Sequence, residues 1–149
     1  MRELRWGYDE LEKMGERGTR STLAAYLAQA LVADGRYEDA IEFSNISEEM
    51  VADADVVTQA VWRSARGAAI AEAGDPAAGE RLAREAVKLA NGTDFLDLQA
   101  GTLISLAGVL TSCGRTEEPA ALTEQARAIY ERKGNIVAAE RLSAGARAR

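Results

Sequence analysis

The chain has 149 residues, of which 47% are hydrophobic and 28% are charged, and its formal charge at pH 7 is −6. It contains no histidine and one cysteine, which excludes imidazole-based catalysis, histidine-ligated zinc, an internal disulfide and multi-cysteine metal clusters. Its 30 alanines, two prolines and few aromatic residues predict an all-α domain, and no motif for a cofactor or a metal is present.

The acidic composition argues against nucleic acid and against an anionic membrane surface as partners. The longest uncharged stretch, residues 98–114, is shorter than a membrane-spanning helix and contains several polar residues. Acidic residues occur early in the chain and no continuous apolar region follows them, which is unlike a signal peptide. We therefore expect a cytoplasmic protein.

Hydrophobic residues recur every three to four positions and predict eight helices separated by short turns. In chain order the predicted helices span residues 8–17, 21–34, 37–51, 55–73, 76–91, 95–113, 116–133 and 136–146. Gly35, Gly74 and Gly114 stand between neighbouring helices, and glycine readily takes the left-handed conformation that closes a helix. The candidate N-cap residues are Asp53 or Asp55, Asp75, Thr93, Thr116 and Asn135.

The three turn glycines are separated by 39 and 40 residues, and such a constant period is the signature of a repeat array. The repeating unit is two antiparallel helices, which bury their apolar faces only by stacking on neighbouring units. We predict one domain over residues 1–149, a right-handed α-solenoid of about three helix pairs. The pairs span residues 21–51, 55–91 and 95–133, with a partial helix in residues 1–18 and a capping helix and tail in residues 135–149.

The segment Gly35-Arg36-Tyr37-Glu38-Asp39-Ala40-Ile41 resembles the turn of tetratricopeptide repeats. A small residue, Ala28, lies seven positions before Gly35, and Ala40 lies five positions after it. The equivalent positions of the second and third units are Gly67 with Gly79 and Ala107 with Pro119. The resemblance implies a tetratricopeptide-like array in which two of the usual alanines are replaced.

Several short phrases, spread over nearly the full length, carry a second resemblance. They are Gly15-Glu16, Ser21-Thr22-Leu23-Ala24, Tyr26-Leu27-Ala28, Val61-Trp62-Arg63 with Arg66, Ala83-Arg84-Glu85-Ala86-Val87, Asp97-Leu98-Gln99-Ala100, and Tyr130-Glu131-Arg132-Lys133-Gly134-Asn135 with Ala138-Ala139-Glu140-Arg141. Together they resemble the C-terminal repeat region of bacterial signalling proteins that join an adenylate or guanylate cyclase domain, or a LuxR-type DNA-binding domain, to an AAA-like ATPase. No Walker loop is present, so the resemblance implies a non-catalytic region.

In such an array the first helix of each pair lines the inner face. The candidate binding residues on this face are Gln29, Gln59, Arg63, Arg66, Glu72, Ile104 and Gly108.

A second pattern on the sixth helix is a stripe of small residues that favours close approach of a neighbouring helix over a shallow ligand surface. The stripe consists of Gly101, Ser105, Gly108 and Ser112.

Gln59, Arg63 and Arg66 share one helix face because they are spaced at i, i+4 and i+7. Two guanidinium groups in this arrangement can grip an acidic peptide or a phosphate. The alternative is that they pair with acidic residues of adjacent helices and hold the stacking angle. The sequence leaves both alternatives open.

The first helix carries Trp6, Tyr8, Leu11 and Met14, although terminal repeats usually present a polar outer face. We expect this aromatic face to bury against a second copy of the chain, forming a homodimer through the N-terminal helix, or against an upstream domain. It is the candidate self-association face.

The leading interpretation is a non-catalytic protein–protein interaction or regulatory scaffold with a protein or peptide as partner. The alternative is a small-ligand or peptide sensor that controls an attached ATPase or cyclase. A compact pocket with polar groups converging around Arg63 and Arg66 would indicate the sensor, whereas an open shallow groove would indicate the scaffold. An enzyme is disfavoured because no converging catalytic set is recognisable.

Overall fold

The computed structural model describes the backbone of residues 1–147 and the side chains of residues 1–143. Over this range the fold is all-helical, with eight helices and no strand. The helices are α1 (Arg2–Lys13), α2 (Gly18–Ala33), α3 (Tyr37–Met50), α4 (Val56–Glu72), α5 (Pro76–Asn91), α6 (Leu96–Ser112), α7 (Glu117–Lys133) and α8 (Ile136–Arg147). Residues 148–149 of the predicted tail lie outside the described residues.

Left-handed glycines end five of these helices in the same way. Their φ angles are 70° at Gly15, 74° at Gly35, 111° at Gly74, 75° at Gly114 and 81° at Gly134. In each turn the N–H of the following residue donates to a carbonyl oxygen five residues earlier, as from Arg36 to Leu31 at 2.9 Å. The prediction for the three turn glycines is confirmed, and the other two follow the same rule because only glycine takes a positive φ without steric cost.

Polar side chains begin several of the helices. Asp55 and Asp75 each accept a backbone N–H of the first helical turn at 3.0 Å, and Asn135 does so at 3.2 Å. Thr116 precedes α7 without a side-chain cap bond, and Thr93 lies two residues before the N-cap of α6 rather than at it. Three of the predicted caps therefore satisfy otherwise unpaired backbone donors.

Each helix packs against its neighbours along the chain, and α2, α4 and α6 also form a row. In that row α4 contacts both α2 and α6. Helix α3 contacts α2 and α4, and α5 contacts α4 and α6 in the same manner. Helix α7 contacts α6 and α8. The first helices of the predicted pairs are therefore in direct contact with one another.

The core is built mainly from small side chains, which allow the helices to approach closely. Among the described residues, 15 of the 25 buried hydrophobic residues are alanine. The closest approach is between α4 and α5, where a Cβ built on Gly79 would lie only 2.5 Å from the carbonyl oxygen of Gly67. A Cβ on Gly67 would lie 2.8 Å from the carbonyl oxygen of Gly79. Both glycines are therefore required where the other two units carry alanine or proline.

Candidate functional site

Side-chain hydrogen bonds link α2 to α4 and α4 to α6. They connect Thr22 to Thr58 at 2.9 Å, the hydroxyl of Ser105 to the carbonyl oxygen of Ser64 at 3.3 Å, and the hydroxyl of Ser112 to the carboxylate of Glu72. The solvent side of these three helices is therefore one continuous surface, which we call the row face. Its exposed residues include Tyr26, Gln29, Ala33, Glu72, Gly108 and Thr111.

Two glycines of α6 leave its backbone open to solvent. A Cβ built on Gly101 or on Gly108 would meet no atom within 4 Å. The expectation that the small-residue stripe admits a closely packed helix is therefore wrong at these two positions. Only its serines, Ser105 and Ser112, bond to α4. The row face consequently has an exposed main chain at its α6 edge.

The seven residues predicted for one inner face lie on different sides of the molecule. Gln29, Glu72 and Gly108 lie on the row face. Ile104 instead packs, partly buried, in the apolar cluster that α6 forms with α7 and α8. Gln59, Arg63 and Arg66 lie on the side of α4 that faces α3 and α5, as their partners below show. The single inner face of the prediction is therefore corrected to two separate surfaces, and Ile104 is partly buried.

The face of α4 that carries the two arginines is organised around a buried indole. Trp62 is only 2% exposed, and the guanidinium carbons of Arg63 and Arg66 lie 4.1 and 4.3 Å from its ring centroid. The indole N–H donates to the side-chain oxygen of Gln59 at 3.2 Å, and Arg63 donates to the same oxygen. Both arginines thereby make cation–π contacts that the sequence pattern did not reveal.

The partners of the two arginines belong to neighbouring helices. Arg66 donates to the hydroxyl of Ser44 at 2.9 Å and to the carboxylate of Glu48 at 2.6 Å, both on α3. Arg63 lies 3.4 Å from the carboxylate of Glu85 on α5. Helices α3 and α5 make no direct contact, so the arginines of α4 link them. The structure therefore contains the internal ion pairs of the second alternative.

Two grooves are present in the described residues, one beside α4 and α5 and one beside α1, α2 and α3. The first has a volume of about 440 Å³ and is lined by Val56, Arg63, Glu85, Lys88, Leu89 and Gly92. The second, about 420 Å³, lies between α1 and α3 above α2, and charged residues of both signs line it. Arg63 lines the first groove, whereas Arg66 lines neither. The two guanidinium groups therefore do not converge on one pocket.

Helix α1 begins six residues earlier than predicted and does not present its aromatic residues on one face. Tyr8 is 4% exposed, and its hydroxyl accepts a hydrogen bond from Arg20 of α2 at 2.7 Å. Its assignment to the exposed self-association face is therefore wrong, because it is a core residue. Leu11 is partly buried, whereas Trp6 and Met14 are 69% and 75% exposed.

A network of four charged residues links α5 to α7, whose backbones do not approach each other closely. Glu118 accepts from Arg115 at 2.6 Å and from Arg84 at 2.7 Å, and Glu80 joins the network from α5. The hydrogen bond from Arg115, followed by that from Arg84, holds the pKa of the Glu118 carboxyl below its usual value. Helices α5 and α7 are thus connected by arginine–carboxylate pairs.

Comparison with known proteins adds no relative to these observations. No family model, no curated protein and no solved structure matches the chain. None of the described helices is both long and apolar enough to cross a membrane. Within the described residues, no three Cys, Asp or Glu side chains are grouped so that they could hold a metal ion.

Proposed function

We propose that the chain is a tetratricopeptide-like solenoid of three helix pairs which binds a protein or peptide and has no catalytic role. The observation that carries the proposal is the repeated contact pattern. Helices α2, α4 and α6 contact one another in series, and α3 and α5 each pack against two successive members of this row. Repeat proteins with this organisation use an extended surface for binding.

The row face is the proposed binding surface because of its chemistry. It presents one aromatic side chain, Tyr26, with the amide of Gln29 on the same helix, and it carries the carboxylate of Glu72 at the C-terminal end of α4. The open backbone at Gly101 and Gly108 lets the main chain of a partner approach closely. These features suit an extended peptide that contributes backbone hydrogen bonds and small side chains.

The geometry of the arginines favours this proposal over a small-ligand sensor. A sensor requires a compact pocket with converging polar groups. Arg63 instead pairs with α5 and Arg66 with α3, and both guanidinium groups pack against the indole of Trp62. We further propose that the module serves a cytoplasmic bacterial signalling protein, a proposal supported by the sequence resemblance alone.

Selection of random linear peptides on the chain, followed by fluorescence polarisation with a selected peptide, tests the proposed surface. Gly108→Arg places a long side chain in open space on the row face, so we expect the Kd to weaken by about tenfold or more. The matched control is Gln125→Arg on the exposed side of α7, which leaves the Kd unchanged. Selected peptides that bind Gly108→Arg normally but fail to bind a folded Arg63→Met/Arg66→Met variant would overturn the assignment.

A further inference from the structure

Helices α2, α4 and α6 run parallel, so their C-terminal ends lie along one edge of the row face. Thr22 and Thr58, which hydrogen-bond to each other, lie in the first two turns of α2 and α4. Ser112 and Glu72, which also bond to each other, are the last residues of α6 and α4. The C-terminal end of a helix carries a partial negative charge. Three such ends therefore give this edge a negative potential before any side chain is considered.

The turns that follow these three ends carry most of the negative charge of the chain. Taken from two residues before each turn glycine to five residues after it, they span residues 33–40, 72–79 and 112–119. Together they contain seven acidic and two basic side chains, which is a net charge of −5 out of −6 for the whole chain. Both basic side chains, Arg36 and Arg115, are paired with carboxylates of α3 and α7. We call these three segments the acidic edge, and its field attracts a cationic partner.

The row face has no basic side chain to oppose this charge. Helices α2, α4 and α6 contain three basic residues in all. Arg20 bonds to α1, whereas Arg63 and Arg66 pack on the indole of α4 and pair with α5 and α3. Asp34 and Glu72 are exposed at the acidic edge, and neither has a cationic partner within the described residues. The surface is therefore complementary in charge to a basic peptide.

One point at this edge offers several oxygen atoms to a cation. The hydroxyl of Ser112 bonds to the carboxylate of Glu72 and lies 3.3 Å from the carbonyl oxygen of Gly108. A hydroxyl has one proton, so it donates to only one of these oxygens at a time. All three residues are exposed. A Cβ on Gly108 would meet nothing within 4 Å, so a long side chain of a partner has room to reach these oxygens.

We propose that the row face binds a peptide through a lysine whose ammonium group lies against Glu72, Ser112 and Gly108. This lysine site rests on the proposed peptide-binding function and adds the chemistry of the partner. An ammonium group has three donors and no acceptor, which suits a site built from oxygen atoms. Its charge is also compact, whereas a guanidinium group is planar and pairs best with both oxygens of one carboxylate. Glu72 supplies the ion pair, and the acidic edge around it favours further basic residues in the peptide.

Selection from a synthetic library of N-terminally acetylated random peptides tests the lysine site. Acetylation removes the terminal amine, so a bound ammonium group can come only from a lysine side chain. The selected peptides should share a lysine, and fluorescence polarisation with one of them should give a Kd about fivefold weaker for Glu72→Gln. The glutamine keeps an oxygen for Ser112 at an exposed helix end, so circular dichroism should match the wild type. The matched control is Glu49→Gln, at an exposed position on α3, which leaves the Kd unchanged.

Changing the peptide as well as the protein separates a direct ion pair from an indirect effect. Replacing the shared lysine with methionine should weaken binding to the wild type about fivefold and binding to Glu72→Gln by less than about twofold. Equal losses on both proteins, or selected peptides without a common lysine, overturn the inference. If Gly108→Arg weakens binding but Glu72→Gln does not, only the lysine site fails. If Gly108→Arg leaves the binding of the selected peptides unchanged, the proposed surface fails and the lysine site fails with it.

Discussion

The contact between Gly67 and Gly79 makes a sharp prediction about stability. Replacing Gly79 with alanine adds a single methyl group between α4 and α5. That methyl carbon would lie 2.5 Å from the carbonyl oxygen of Gly67, 2.7 Å from the Cβ of Ala71 and 2.9 Å from its backbone nitrogen. Two of these three atoms belong to the backbone, so no side-chain rotation relieves the clash and the helices must separate.

The magnitude follows from two opposing effects. Alanine is favoured over glycine in a helix by about 1 kcal/mol, which stabilises the variant. Overpacking a close contact costs about 1–3 kcal/mol, and we take the upper value because rigid backbone atoms are involved. The expected net loss for Gly79→Ala is therefore about 2 kcal/mol, which for a chain of this size lowers Tm by about 4–8 °C.

The matched control is the same substitution at Gly108, where the added methyl group meets nothing within 4 Å. Gly108→Ala should gain about 0.5–1 kcal/mol from helix propensity alone. Urea unfolding followed by circular dichroism at constant m-value measures both variants. If Gly79→Ala were as stable as Gly108→Ala, the close approach of α4 and α5 would be refuted.

Two further predictions concern the charged residues. Arg66→Met should lower the free energy of unfolding, measured in urea, by about 2 kcal/mol, because Trp62 loses a cation–π contact and the partly buried hydrogen bond to Ser44 is lost. Glu48→Ala should cost less than about 1 kcal/mol because it removes only an exposed partner, and equal effects of the two variants would contradict the reasoning. Because the folded pKa of Glu118 is lowered, its stabilising contribution is present above its ordinary pKa of 4.5 and is lost as the pH falls through the lowered value. The Tm of Glu118→Gln should therefore fall less than the Tm of the wild type between pH 6 and pH 3 (about the range of carboxyl titration). If the two proteins lose the same number of degrees over this range, Glu118 does not have this role.

Local rules explain why most of the helices could be predicted. A positive φ is accessible to glycine, so Gly35, Gly74 and Gly114 mark helix ends wherever the flanking segments are helical. Asp55 and Asp75 cap helices because their side chains satisfy nearby backbone donors. Helix α1 was predicted to begin too late, although Leu4, Tyr8 and Leu11 already follow the helical period from its first turn.

The side of a helix that faces a partner could not be predicted in the same way. Helix α4 has four neighbours, so nearly every side of it meets another helix and periodicity alone does not distinguish the row face from the others. Arg63 and Arg66 were correctly placed on a common face of α4, but only the packing of α3 and α5 directs that face toward Glu48 and Glu85. Ile104 lies on the same side of α6 as Gly108, and it is partly buried because residues of α7 and α8 complete an apolar cluster there.

The sequence by itself determined that this chain is helical and where its glycine turns lie, since these properties depend on residues a few positions apart. Only the tertiary structure decided which glycines lie where two helices touch and which lie on the open surface. Gly67 and Gly79 meet backbone to backbone, whereas Gly101 and Gly108 meet nothing. The residue type is identical, and the difference arises from neighbours that are distant in the chain. The row face follows from that same long-range packing.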